Sequence, residues 1–360
     1  MCILPCRRPE IGACLPWWHS MVRPRSRWWA MSFSAEPHIP VLIDPIIEAL
    51  GSLDGLVVVD ATFGAGGYSQ RFLDAGAKLV VAMDRDPHVL PTAEKFSADY
   101  PGRFRFFAGC FSQAHELLAE AGIAPVDALV ADLGVSSMQL DQAERGFSFM
   151  RDGPLDMRMG AQGVSAADLV NVLEEEELAN LIYQFGEERA SRRIATAIVS
   201  RRQDICFTRT SELASLVEKV VRSRPGHHGA TRTFQALRIA VNREFDELAQ
   251  LLVQSQHIVE GGGRLCVVAF HSLEDRMVKT FFKAAAGEDG QGSRYQPAPA
   301  VIPGSFGAFS KAIKARDDEI SRNPRARSAV LRMGMRTQHP ALVTATPELD
   351  ALRGRWRMAA

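Results

Sequence analysis

Residues 57–69 read VVVDATFGAGGYS, an unbroken apolar run that closes on an acid and enters Gly64, Gly66 and Gly67. A run without polar alternation predicts a strand buried on both faces of a parallel sheet. The glycines after it put bare backbone at the carboxyl edge of that sheet, where only glycine lets a ligand come close. A second run, KLVVAMD (78–84), ends in Asp84, which is placed to accept hydrogen bonds from ribose hydroxyls. Taken alone, this points to a cofactor containing adenosine. The register Gly64-x-Gly66-x-x-Ser69 puts serine at the third small position of the dinucleotide fingerprint, which weakens a nicotinamide reading without excluding it. Asp60, Asp84 and Asp132 are all expected at one sheet edge. Several acids there suit the sulfonium and ammonium of S-adenosylmethionine and would repel a pyrophosphate.

Outward from this stretch, short apolar runs alternate with amphipathic ones. Pro87 opens a helix at its first position, RFRFF (103–107) alternates as a third strand, and Ser112 caps a helix through Leu118. VDALVADLG (126–134) is a fourth strand. This rhythm predicts β-α-β units and a doubly wound, mostly parallel sheet. The next comparable strand, RLCVVAF (264–270), begins 130 residues after that run ends. A crossover needs only about a dozen residues, so the interval holds a separate, mostly helical body. Ser165 and Asp168 make a capping box; Leu178, Leu181, Ile182 and Phe185 follow at helical spacing, closed by Gly186. Ile194, Ala197 and Ile198 mark another helix, Leu213, Leu216, Val217 and Val220 a third, and one long amphipathic stretch runs from Thr233 to about Val259. SAVLRMGMR (328–336) supplies a last strand. The resulting division is a loose extension (1–37), an α/β domain in two parts (38–137 and 233–336), a helical insert for substrate (138–232) and a loose tail (337–360).

Composition narrows the classes. With 46% apolar and 23% charged residues, the 360-residue chain is neither disordered, collagen-like nor a disulfide mini-protein. Its six cysteines include no C-x-x-C pair, and no spacing of acids supports a metal site, so none is assigned. No apolar run reaches the roughly 18 residues of a membrane helix, and Arg7, Arg8 and Glu10 interrupt any signal-peptide core. The expected home is the cytoplasm, away from membranes. Lys+Arg and Asp+Glu are 42 each, which excludes a uniformly basic nucleic-acid glove. The charge is nevertheless partitioned: residues 141–188 hold 11 acids against 3 bases, residues 189–243 hold 12 bases against 3 acids, and residues 311–336 hold 8 bases against 3 acids. Arg189, Arg192 and Arg193 share a predicted helix face, and Arg222, Arg224 and Arg232 follow. Either these bases pair with the acidic neighbour segment, or they track phosphates as an RNA-binding face.

Two further stretches carry chemistry. DLGVSSMQLDQAERGFSFMRDGPLDMRM (132–159) leaves the fourth strand and is an active-site loop by position, with Asp132 as a candidate catalytic group. VVAFHSLEDR (267–276) brings His271 to the same edge, either as a second catalytic candidate or as a helix cap.

These stretches, together with HIPVL (38–42), ATRTFQALRIAVN (230–242) and NPRARSAVLR (323–332), resemble the MraW family, the bacterial 16S ribosomal RNA cytosine-N4 methyltransferases, over roughly residues 38–336. The resemblance implies a Rossmann-like class I methyltransferase domain, S-adenosylmethionine as donor, and a decoding-centre cytidine of 16S rRNA in the small ribosomal subunit as acceptor. Carried over by motif, cofactor contacts fall on Gly66, Gly67, Tyr68, Asp84, Phe111, Asp132 and Gln139. Tyr68 stands where the family often has histidine, Met138 where it often has proline, and Gly229 where a second proline is common. The acid-Pro-Pro-aromatic device of many amino-methyltransferases is absent, that place reading Asp132-Leu133-Gly134-Val135. Cysteine-based ring methylation also lacks its loop, so the 132–139 segment and His271 are expected to present acceptors to the amine. Two other readings stay open at this point: a non-catalytic RNA-binding assembly factor that keeps a cofactor pocket, and a nicotinamide-dependent oxidoreductase. A homodimer is also open.

Overall fold

The computed structural model describes residues 40–160, 162–223, 228–288 and 302–344. Residues 1–37, Arg224 and most of the C-terminal tail lie outside them. Five parallel strands form the centre: β1 (Val57–Asp60), β2 (Leu79–Asp84), β3 (Phe104–Ala108), β4 (Val126–Asp132) and β5 (Val259–Ala269). β6 (Gly287–Glu288) and β7 (Ile302–Pro303) make a separate ribbon. β8 (Phe306–Gly307), β9 (Ile313–Lys314) and β10 (Val330–Arg336) complete the main sheet, with β10 antiparallel to β5. The order is β3-β2-β1-β4-β5-β10-β8, and β9 also pairs with β10. The order reverses between β1 and β4, and in such sheets a crevice opens at the carboxyl ends of those two strands.

The valine run of β1 is explained by burial on both faces. Val58, Val80, Ala128, Val130 and Cys266 face one core, covered by α1 (Ile43–Leu50), α2 (Gly67–Asp74) and α3 (Leu90–Asp99). Val59, Val81, Leu129, Ala131 and Leu265 face the other, beneath α4 (Ala114–Glu120). Phe72 of α2 is fully buried in the first core, which contributes roughly 1.5–3 kcal/mol relative to exposure. Cys266, sealed there, has its thiol pushed up to about 12 by that burial.

Between β4 and β5 the chain is helical: α5 (Ser137–Asp141), α6 (Ala166–Val172), α7 (Glu175–Gly186), α8 (Ser191–Arg202), α9 (Thr210–Val220), α10 (Thr231–Asn242) and α11 (Glu244–Ile258). α12 (Ser272–Ala285) follows β5, and α13 (Asp317–Arg322) precedes β10. The apolar residues of α6 to α10 join the second sheet core without a break. The Ser165–Asp168 capping box forms as its spacing predicts.

Local corrections are physical. Ser112 does not cap α4; it sits inside a 3-10 turn (Phe111–Gln113) opened by Cys110, and its N–H donates to Glu247 of α11. The long Thr233–Val259 stretch is two helices, because Arg243 takes a left-handed φ of 52° and ends α10 before Glu244 opens α11. In α7 the left-handed residue is Glu187, with Gly186 still helical. In α8 the buried stripe is Ile194, Ala195 and Ile198 rather than Ala197, and Arg189 precedes the helix. Gly229 is also more than a loss of stiffness: a β-carbon there would lie 1.9 Å from the Val221 carbonyl oxygen.

Candidate active site

The crevice between β1 and β4 holds a cavity of about 200 Å³. Its floor is the loop after β1. Gly64 donates its N–H to Asp84 Oδ2 at 2.8 Å, and Thr62 Oγ1 accepts the Asp132 N–H at 2.7 Å. The glycine loop is thus laced to the ends of β2 and β4. Gly64, Ala65 and Gly67 line the cavity. Gly66 does not. It takes φ 81° as the N-cap of α2, its N–H and C=O are engaged with Phe63 and Gln70, and a β-carbon would meet the Phe96 ring at 2.7 Å. Its service is to the turn.

Tyr68 lines the cavity but is buried, and its hydroxyl donates to the Val41 carbonyl, so only ring and backbone are offered. Asp84 also holds the Asp86 N–H at 2.9 Å; burial pushes its carboxyl up, and those two N–H groups partly offset the rise. Phe111 lines the wall, on a turn fixed to α11 through Gln254 and Glu247. Gln139 is present too, but its amide is engaged: Nε2 donates to Asp86 Oδ2 at 2.8 Å and Oε1 accepts the Ser136 N–H at 3.0 Å.

Asp132 and Asp60 differ in role. Asp132 lines the cavity, and its Oδ1 is buried with no hydrogen-bond partner among the described residues. Burial, with Asp60 and Glu274 nearby, pushes this carboxyl well above its ordinary value. Asp60 is 1% exposed and does not line the cavity; it accepts from Ser69 Oγ at 2.7 Å and the Thr62 N–H at 3.2 Å. It belongs to the supports beneath the loop.

His271 is the cap, not a wall residue. It is the N-cap of α12, its Nδ1 accepts the Glu274 N–H at 3.4 Å, and it does not line the cavity. Its neighbours Phe270 and Glu274 do, as do Glu244, Arg85 and Arg325, none of which stood out in the sequence. One signal was available for Glu274: an acid three residues after a capping side chain is the partner in a capping box. Glu244, His271 and Glu274 lie close enough to share an ion, but Arg238 already grips Glu244 with two contacts of 2.8 Å.

The polar loop folds back on this cavity. Arg145 donates to Asp86 Oδ2 at 2.9 Å and to the carbonyls of Arg158 and Met159, both at 3.1 Å, while Asn242 accepts the Met159 N–H at 2.8 Å. Arg325 closes over the loop from the other side, donating to Ser137 and standing 3.8 Å from Asp141.

On the insert, Arg189, Arg192, Arg193 and Arg222 are exposed and make no ion pair with a described residue. Arg232 is 3.9 Å from Glu188, and Arg209 is 2.5 Å from Asp152, whose carboxyl the Ser211 hydroxyl and Arg209 hold down at about 2. The bases therefore divide into a paired group and an unpaired group.

A doubly wound sheet with a glycine loop and an acid-walled cavity at its reversal point defines an α/β protein built for a nucleotide-like cofactor. The chain belongs to the MraW methylase family, whose model matches residues 35–337. It is 53% identical over 308 residues to the ribosomal RNA small subunit methyltransferase H of Cereibacter sphaeroides, covering 85% of this chain and 92% of that one. The protein of the same name from Caulobacter vibrioides is 53% identical over 314 residues, covering 85% and 98%, and that of Rhodospirillum rubrum 52% over 313 residues, covering 85% and 96%. A solved rRNA-methylase-like structure from Clostridium thermocellum superposes with a TM-score of only 0.38 at 12% identity, covering 83% of this chain and 98% of that one. The fold rests on the topology itself.

Proposed function

We propose that the cavity binds S-adenosylmethionine and that the protein methylates the exocyclic N4 amine of a decoding-centre cytidine of 16S rRNA. The observation that carries this reading is the acid wall at the reversal point, above all the buried, partnerless Asp132 Oδ1. A cationic donor satisfies such a wall, whereas a pyrophosphate is repelled by it. The names of the relatives support RNA of the small subunit as acceptor.

In this reading Gly67 and the Tyr68 backbone hold the donor's tail, Asp84 the ribose, Phe111 the adenine, and Asp132 the cationic end, with Gln139 keeping the loop in place. The bound donor supplies an activated methyl group. The chain supplies alignment and exclusion of water, which govern an in-line displacement. The segment 138–232 reads the RNA, with Arg189, Arg192, Arg193, Arg222, Arg224 and Arg232 on phosphates.

Calorimetry with S-adenosylmethionine and with NAD, followed by nucleoside mass spectrometry of treated small subunits, tests it. The expected result is binding of the first only and appearance of N4-methylcytidine. Asp132→Ala should lose binding or turnover; unchanged rates would sink the assignment.

A further inference from the structure

We propose that Glu274 is the proton acceptor for the amine that is methylated. The assignment rests on the reading of the cavity just given.

The cavity offers few ionisable acceptors once each is followed to its partners. Asp84 has one oxygen on each of two backbone N–H groups. Glu244 has both oxygens on Arg238. Glu247 accepts the Ser112 N–H, and the Tyr68 hydroxyl is engaged with Val41. Cys110 is a poor base, its thiol pushed up by burial. Asp132, whose Oδ1 is buried without a partner among the described residues, is committed to the donor's cationic end in the reading above.

Glu274 differs. Its Oε2 accepts the N–H groups of Phe270 at 2.8 Å and His271 at 3.3 Å, anchoring the carboxylate. Among the described residues its Oε1 has a single neighbour of this kind, His271 Nε2 at 3.2 Å. One oxygen is thus fixed and the other keeps acceptor capacity. Burial alone would raise this carboxyl, but His271, Arg238 and the Phe270 N–H together hold it below its ordinary value. The groups facing it are His271 on its own turn, Arg238 of α10, Glu244 of α11 and Asp132 of β4.

The step balances. As the methyl passes from sulfur, its C–S bond breaks, the N4–C bond forms, the donor becomes a neutral thioether and N4 gains the positive charge. Glu274 Oε1 then takes one N4 proton: the N–H bond breaks, its electron pair stays on nitrogen, and an O–H bond forms. The product is a neutral methylamine, and the carboxyl returns its proton to water.

The test uses the whole protein and Glu274→Gln, whose amide oxygen still accepts from Phe270 and His271. Carboxyl-13C glutamate NMR of the unsubstituted protein, assigned by the resonance missing from the variant, should show Glu274 ionised near neutral pH. A protonated carboxyl there overturns the assignment. In single-turnover assays on small subunits, E274Q should fall about 10²-fold or more while S-adenosylmethionine affinity stays within about twofold, and its rate should rise with pH where that of the unsubstituted protein is flat. A variant rate within about threefold overturns it as well. If E274Q melts far below the unsubstituted protein, Glu274→Asp takes its place, with a shorter carboxylate expected to lose about 10-fold in rate. If the unsubstituted protein makes no N4-methylcytidine, the underlying reading fails; product from both proteins at equal rate overturns the role of Glu274 alone.

Discussion

Arg145 Nη1 and Asp86 Oδ2 stand 2.9 Å apart with 10% and 2% of their side chains exposed. This pair fastens the polar loop after β4 to the end of β2, and Asp86 also holds Gln139 and His88. Breaking a buried pair by removing one partner leaves the other charge uncompensated. Arg145→Met is expected to lower unfolding free energy by about 3–5 kcal/mol in urea titrations and to weaken cofactor binding. The pH dependence has a defined sign. Burial works to raise Asp86, yet Gln139, the His88 N–H and Arg145 leave it below its ordinary value. Its stabilisation is therefore full above the unfolded value and is lost as pH falls through the folded one. The acid limb of stability should be shallower in the variant.

Asp60 behaves in the opposite sense. Burial, only partly offset by Ser69 and the Thr62 N–H, raises its carboxyl from 3.8 to about 6. Between those values the folded state binds a proton that the unfolded state has released, so stability falls as pH rises. The rise corresponds to about 3 kcal/mol. Asp60→Asn should abolish that decline, which denaturation at a series of pH values comparing both proteins will read.

The frame of the fold was legible because its signals are local: valine runs, the acids that end them, and glycines directly after. The site was legible only in part. Phe111 and Asp132 could be placed from motif position, whereas Gly66 and Gly67, adjacent in sequence, face a phenyl ring and the cavity respectively, and only the φ of 81° at Gly66 separates them. Glu274 is marked in sequence only by its place three residues after His271, because Arg238, which helps hold its carboxyl down, comes from another helix. The break at Arg243 was invisible because apolar periodicity continues through it.

Arg336 is 8% exposed, and its guanidinium donates to the carbonyls of Gln256, Ser305, Thr337 and His339. No described acid pairs with it, and burial lowers its proton affinity. Lysine cannot reproduce this planar fork. Arg336→Lys is expected to lower stability by about 1–3 kcal/mol in thermal or urea unfolding, leaving cofactor affinity unchanged.

Reversal of the unpaired insert bases isolates the RNA reading. Arg192→Glu with Arg193→Glu should weaken small-subunit RNA binding and reduce its salt slope by roughly one unit for each phosphate no longer neutralised. Filter binding at several salt concentrations, with cofactor calorimetry in parallel, checks this. Reversing Arg209, already paired with Asp152 at 2.5 Å, should affect RNA less.

Pro40 and Val41 line the same cavity as Asn323 and Arg325, so the wall draws on both extremities of the described chain. Assembly of that wall is therefore a late event in synthesis. A ribosome that has made β1 to β4 has already made the glycine loop and Asp132, but not the segment that closes over them. The wall is complete only when about nine-tenths of the polypeptide has been made.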